Sequence, residues 1–197
     1  YMGGVKINVR AETGVKGLYA CGEEAGGVQG ANRLGGNSLP DTQVFGKRAG
    51  ESAALQAKQE RVNPPIEREQ LVEEEKRIFS FSRRDGVSPS KVRAMLNEAM
   101  DANAGIVRTR ESLIKALETI ELIKREMLPK LKVSEGGTFQ YCRGLVEALE
   151  TINLVRVAEI LVRSALIREE SRGAHYRLDF PRTDNSRWLK RIVWRLE

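Results

Sequence analysis

The sequence predicts an α+β fold, mainly α, in which a short β- and loop-rich end is followed by an antiparallel helical bundle and an irregular C-terminal tail. Three observations carry this prediction. Glycine is dense in the first fifty residues and thins out beyond them. Asn63-Pro64-Pro65 breaks the chain, and downstream of it apolar residues recur at helical spacing among many charges. The implied divisions are residues 1–62, a bundle over 66–169 and a tail over 170–197.

In the first division, Val5, Ile7 and Val9 alternate with Lys6, Asn8 and Arg10, the period of a half-buried strand over residues 4–10. Residues 11–17 read as a turn. Residues 17–22, Gly-Leu-Tyr-Ala-Cys-Gly, give a short apolar run closed by glycine, which suits a buried strand ending at a crevice. From Thr42 to about Gln59, Val44, Phe45, Ala49, Ala53, Ala54 and Ala57 form a small-residue helical face fit to lie close against a sheet.

The second division opens with a helix over 66–81 carrying Leu71, Ile78 and Phe81. Ser88 caps the next helix, with Pro89 in its first turn and Val92, Met95, Leu96 and Met100 along it. A third helix over 108–127 bears Leu113, Ile114, Leu117, Ile120 and Ile123 and stops at Pro129. After a Gly136-Gly137 turn, the longest helix spans about 139–168. Leu145, Leu149, Ile152 and Val155 form one face and Leu154, Val157 and Leu161 an adjacent one, which implies neighbours on more than one side. The tail opens on a polar turn holding the chain's one histidine, His175, read as a hydrogen-bonded structural residue. Arg172 and Asp179 are placed to pair with other loop groups, and 188–196 alternates loosely as an edge strand.

The 197 residues are 41% apolar and 30% charged with a net charge of +6, enough for a sizeable core. Cations and acids are interspersed along the helices, which argues for solvated faces and against a nucleic-acid partner. Only the tail beyond Arg182 is a basic cluster, with Trp188 and Trp194 interleaved, and it reads as docking surface. Cys21 and Cys142 lack metal-ligand spacing and read as reduced thiols, and no metal is expected. No apolar run is long enough to cross a bilayer, so a membrane link would come through partners. The opening Tyr1-Met2-Gly3-Gly4, without a Met start, reads as a chain cut from something longer.

The stretch with the most chemistry is residues 30–41, Gly-Ala-Asn-Arg-Leu-Gly-Gly-Asn-Ser-Leu-Pro-Asp. Its glycines let backbone amides approach a bound group. Asn37 and Ser38 are suited to cap a helix beginning just after them, whose positive end faces back at the loop. Arg33 adds a planar fork that grips a carboxylate at two points. An anion or cofactor is the natural occupant. Glu23, at the end of the Gly17–Gly22 run, is placed either to accept hydrogen bonds from a sugar-like hydroxyl or to stand in water as a loop acid.

Four stretches together resemble the flavoprotein subunits of succinate dehydrogenase and fumarate reductase and their relative L-aspartate oxidase. They are Tyr1-Met2-Gly3-Gly4, Thr13 with residues 17–23, residues 30–41, and residues 170–181. The resemblance covers essentially the whole chain and makes the first division the end of a capping and FAD-binding domain. It implies FAD as cofactor, with Glu23 on the ribityl chain and Asn37, Ser38 and Leu39 against the flavin. Arg33 becomes the clamp on one carboxylate of a dicarboxylate such as succinate or fumarate. Family features that precede such a stretch are missing: a substrate-binding histidine before Tyr1, the dinucleotide-binding glycines, the flavin-linking histidine and the proton-delivering arginine. The isolated chain is therefore expected to be inactive.

Gly35-Gly36 and Asp41 resemble the respiratory branch, whereas Tyr176 and Leu178 are also at home in L-aspartate oxidase. The respiratory branch further implies partners, an iron-sulfur subunit with membrane-anchor subunits, and a peripheral place on the cytoplasmic face of the cell membrane. Two readings stand beside it: a non-catalytic helical module that docks an iron-sulfur subunit, and, last, a basic nucleic-acid-binding protein.

Overall fold

In the computed structural model, residues 3–60, 65–82, 85–133 and 142–195 are described. The Gly136-Gly137 turn, Tyr1-Met2 and the first residues expected in the longest helix lie outside them. The chain divides into two compact units: residues 1–65 with 172–175 and 195–197, and residues 66–171 with 176–194.

The first unit has little sheet. Strand β1 (Val5–Lys6) pairs in parallel with β2 (Ala25–Gly26), Val5 opposite Ala25. The backbones meet so closely that a Cβ on Gly26 would stand 2.7 Å from the Gly4 nitrogen. The strand expected over 4–10 stops at Lys6 because Asn8 takes over the backbone. Its Oδ1 accepts from the amides of Arg10 (2.9 Å) and Glu12 (3.1 Å), a turn that competes with a ladder. The expected buried strand over 17–22 is also absent. Tyr19 makes one antiparallel bridge to Glu12, and Leu18 is half exposed.

Helix α1 (Ser38–Glu60) starts four residues earlier than the apolar pattern suggested. Its inner face, including Phe45, Ala49, Ala53 and Gln56, is only half buried, and Ala54 and Ala57 are exposed. It rests on a turn-rich segment in place of a sheet. Ser52 Oγ donates to the Arg10 carbonyl (3.0 Å), Arg48 to that of Val9 (3.2 Å), and the Tyr19 hydroxyl to Gln56.

In the second unit, α2 (Arg68–Phe79) buries no residue, and Leu71 and Phe79 are 56% and 55% exposed, so it is not part of the bundle core. The chain is anchored just beyond it by Phe81, which is buried. The bundle is made by α3 (Pro89–Ala104), α4 (Arg110–Leu122) and α5 (Arg143–Ile167), which pack on one another pairwise. Ser88 caps α3 by accepting from the Lys91 amide, with Pro89 in the first turn, as its sequence requires. Thr109 and Ser112 form a reciprocal capping box on α4, each side-chain oxygen accepting from the other's amide at 3.1 Å. Pro129 lacks an N–H and its ring crowds the preceding turn, and the end of α4 widens into a π segment over Ile123–Met127 before a 3-10 turn, Leu128–Lys130.

The core joins Val92 and Leu96, Leu113, Ala116 and Ile120, and Val155 and Val162, with Phe81, Leu131 and Val133 alongside. On α5 the buried residues are Ala148, Thr151, Val155, Ala158, Val162 and Ala165, a single seam at three-four spacing. Small residues dominate that seam and let the helices approach. The second apolar face expected on α5 is largely in solvent, with Val157 44% exposed.

Two features of the tail region escaped its irregular appearance. Strand β4 (Tyr176–Arg177) pairs in parallel with β3 (Val107–Arg108). Arg177 is completely buried: it donates to Asp179 through two nitrogens (2.8 and 2.7 Å) and, through Nη1, to the Ala165 (2.7 Å), Leu166 (3.2 Å) and Arg168 (3.3 Å) carbonyls at the end of α5. Asp179 in turn accepts from the Arg110 amide at the start of α4 (2.9 Å). Hydrogen bonds from Arg177 hold the Asp179 carboxyl down at about 2. The expected edge strand at the end of the chain is replaced by a short helix, α6 (Asn185–Trp188), capped by Asp184, followed by chain without strand pairing among the described residues.

Candidate functional site

The candidate site lies within the first unit, at the entrance to α1. Cys21 leads into a 3-10 turn over Gly22–Glu24, and this turn packs on α1. A Cβ on Gly22 would lie 3.4 Å from Thr42 Cγ2, so the turn carrying Glu23 sits against the first turn of the helix. Glu23 itself is exposed.

Every residue from Gly30 to Pro40 is exposed, an uninterrupted open loop. A Cβ built on Gly30, Gly35 or Gly36 would meet nothing within 4 Å. Arg33 makes no ion pair with a described residue. Asn37 stands immediately before α1. Its amide donates to the Leu34 carbonyl (3.3 Å), and its own carbonyl accepts the helix's first bond, from the Asp41 amide (3.1 Å). Ser38 is therefore the first helical residue, with Leu39 beside it, 74% exposed. The amides of Ser38 and Leu39 precede the helical ladder and Pro40 has none, so the positive helix end is open at the loop. Asp41 Oδ1, in the first turn, is buried without a hydrogen-bond partner among the described residues.

This donor set fits a flavin nucleotide: an exposed carboxylate able to accept from hydroxyls, two helix-entrance amides suited to a carbonyl, and an exposed leucine to lie on a ring. Arg33, four residues before Asn37 on the same loop, offers its fork to an anion. These groups all lie in the first unit, with the Glu23 turn packed on the start of α1.

His175 exchanges backbone hydrogen bonds with Arg172 (2.8 and 3.0 Å), which close a tight turn. Cys21 and Cys142 form no disulfide, and Cys142 caps α5 by accepting from the Leu145 amide (3.3 Å). The basic tail uses part of itself internally: Arg168 (5.2 Å) and Lys190 (5.6 Å) both stand over the Trp188 ring, and Trp194 Nε1 donates to Ser164 Oγ (2.7 Å). Among the described residues no helix is long and apolar enough to cross a membrane.

Residues 93–197 match the family model for the fumarate reductase flavoprotein C-terminus, and residues 1–39 match an FAD binding domain. The chain is 46% identical over 196 residues to a fumarate reductase (CoM/CoB) subunit of Methanothermobacter marburgensis, covering 98% of this chain and 34% of the relative. It is 34% identical to the L-aspartate oxidase of Acinetobacter baylyi, covering 97% of this chain and 32% of that protein. A chain in the structure of quinol-fumarate reductase with menaquinol molecules superposes with a TM-score of 0.84 at 34% identity, over 94% of this chain and 33% of the other. This chain thus spans about a third of the length of the curated relatives it matches. With over half of its residues in the C-terminal family model and its first 39 in an FAD binding domain, the chain belongs to the fumarate reductase and succinate dehydrogenase flavoprotein family.

Proposed function

We propose that this chain provides the substrate-clamping loop and helical domain of an FAD-dependent fumarate reductase or succinate dehydrogenase. The observation that carries this reading is the open loop ending at α1, which combines Arg33, without an ion pair among the described residues, with the helix entrance at Ser38 and Leu39 beside the turn of Glu23. FAD would supply the two-electron hydride chemistry that links it to the dicarboxylate. Glu23 would hold the ribityl hydroxyls, and Asn37, Ser38 and Leu39 would lie against the flavin. Arg33 binds one substrate carboxylate through two nitrogens. It fixes the methylene carbons in place and stabilises negative charge that grows on the substrate as the reaction proceeds.

Alone, this chain holds one part of such a site, so it is inactive and binds FAD weakly or not at all. Tight FAD binding in a titration of the isolated chain would contradict that. In the full flavoprotein, Arg33→Ala should remove about 2–4 kcal/mol of transition-state binding, read from the fall in kcat/KM for succinate with a dye acceptor, the order expected for losing a charge-assisted bidentate contact. Near-normal turnover would refute the assignment.

The respiratory reading is favoured over L-aspartate oxidase by Gly35-Gly36 and Asp41. The full protein should reduce an acceptor with succinate and make no hydrogen peroxide from L-aspartate. Its proposed partners are an iron-sulfur subunit together with membrane-anchor subunits, which would hold it on the cytoplasmic face of the membrane. Support comes from the tail, where Leu189, Val193 and Trp194 remain exposed among Arg187, Lys190 and Arg191, a surface suited to docking a partner protein. A pull-down with residues 182–197 deleted tests that surface separately from catalysis.

A further inference from the structure

Residues 172–175 return to the first unit to form a closed turn. Arg172 and His175 exchange both backbone hydrogen bonds, Gly173 has φ +59 and Ala174 is not at positive φ, the pattern of a type II′ turn with glycine at its first central position. Gly173 faces Ala31. A Cβ at Gly173 would fall inside contact distance of the Ala31 carbonyl oxygen, 2.7 Å from its carbon and 2.9 Å from its Cβ. All three atoms belong to the residue two positions before Arg33. Gly30, Gly35 and Gly36 of the loop face open space, whereas Ala31 at its start is met closely by the Gly173 backbone.

We infer that Gly173 is a positioning residue for the dicarboxylate clamp: its bare backbone sets where Ala31, and through it Arg33, stands. The inference rests on the reading of Arg33 as that clamp. A side chain at Gly173 would push the Ala31 carbonyl, and the guanidinium two residues on would shift from the geometry of a bidentate contact. An error of about 1 Å there is enough to cost on the order of a hundredfold in rate.

The test is a double-mutant cycle in the full flavoprotein, reading kcat and KM for succinate with a dye acceptor, together with flavin content and the melting temperature. Gly173→Ala should lower kcat/KM tenfold or more, with flavin content unchanged. In an Arg33→Lys background the same substitution should cost less than about threefold, because the geometry it disturbs is already lost. Thr109→Ala, which removes a helix cap remote in sequence, controls for lost stability and should leave both constants unchanged. If Gly173→Ala does not accumulate, Ala31→Val presses on the same contact from the other side and replaces it in the cycle.

Normal kinetics for Gly173→Ala beside an impaired Arg33→Lys would overturn the positioning role and leave the clamp standing. Normal kinetics for Arg33→Lys would overturn the clamp itself. An equal loss from Gly173→Ala in both backgrounds, or failure of both contact variants to fold, would make the turn a general stability element and overturn the inference.

Discussion

Replacing Arg177 with methionine would remove the guanidinium on which two helix ends of the bundle depend. The side chain is fully buried, and its loss would leave the Ala165, Leu166 and Arg168 carbonyls without that donor and Asp179 without its cation. Breaking a buried pair by removing one partner costs about 3–5 kcal/mol, and each buried carbonyl left unpaired about 1–3 kcal/mol where water cannot reach it. Asp179 is 29% exposed and can be rehydrated, which returns part of that loss. The methionine retains much of the packing against Phe180, whose ring lies 5.0 Å from the guanidinium. A net destabilisation of about 4 kcal/mol follows. At roughly 3–4 °C per kcal/mol for a unit of this size, the melting temperature should fall by about 12–16 °C. Far-UV circular dichroism of the chain during heating and in urea reads this directly, since the helices dominate the signal. Arg177→Lys should recover only part of the loss, because an ammonium keeps the charge without the fork that serves Asp179 and the carbonyls together. A loss below about 1 kcal/mol for the methionine variant would refute the assignment of Arg177 as the tie between α4 and α5.

The same contact predicts an acid limb. Asp179 titrates at about 2 when folded against an ordinary value of 3.8. Its contribution is therefore fully present above pH 4 and is lost as pH falls from about 4 to 2; discounted for partial exposure it amounts to about 1–2 kcal/mol. Urea midpoints measured across that range should show this slope in the wild type and a flatter one in Asp179→Asn. Thr109→Ala should cost about 1 kcal/mol by opening the capping box on α4, visible as a lower urea midpoint with an unchanged slope.

Much of the helical plan was legible locally. The Ser88-Pro89 start, the stop at Pro129 and the apolar periods of α3 and α4 are each written within a turn or two of where they act, because caps and helical faces depend on near neighbours. Strands were the weaker reading, since a strand exists only through its partner. The alternation over residues 4–10 had no way to announce that Asn8 would turn the chain, or that only Val5 and Lys6 would find partners. Helix α2 shows the same limit: its amphipathic spacing is real, yet among the described residues its apolar side stays largely exposed.

For the candidate site, the ingredients are already written in the chain: the glycine-rich loop with Arg33, the helix after Asn37, and Glu23 closing the run before it. Those follow from residue type and spacing alone. Which groups stand beside which emerges only from the fold. It set the Glu23 turn against Thr42, brought Gly173 from more than a hundred residues away onto Ala31, and buried Arg177 where a lone arginine in a polar tail would be expected in water. The physical reason is that burial and close approach belong to pairs of distant segments. No local pattern encodes the desolvation of a charge or the absence of a Cβ until the second segment is in place.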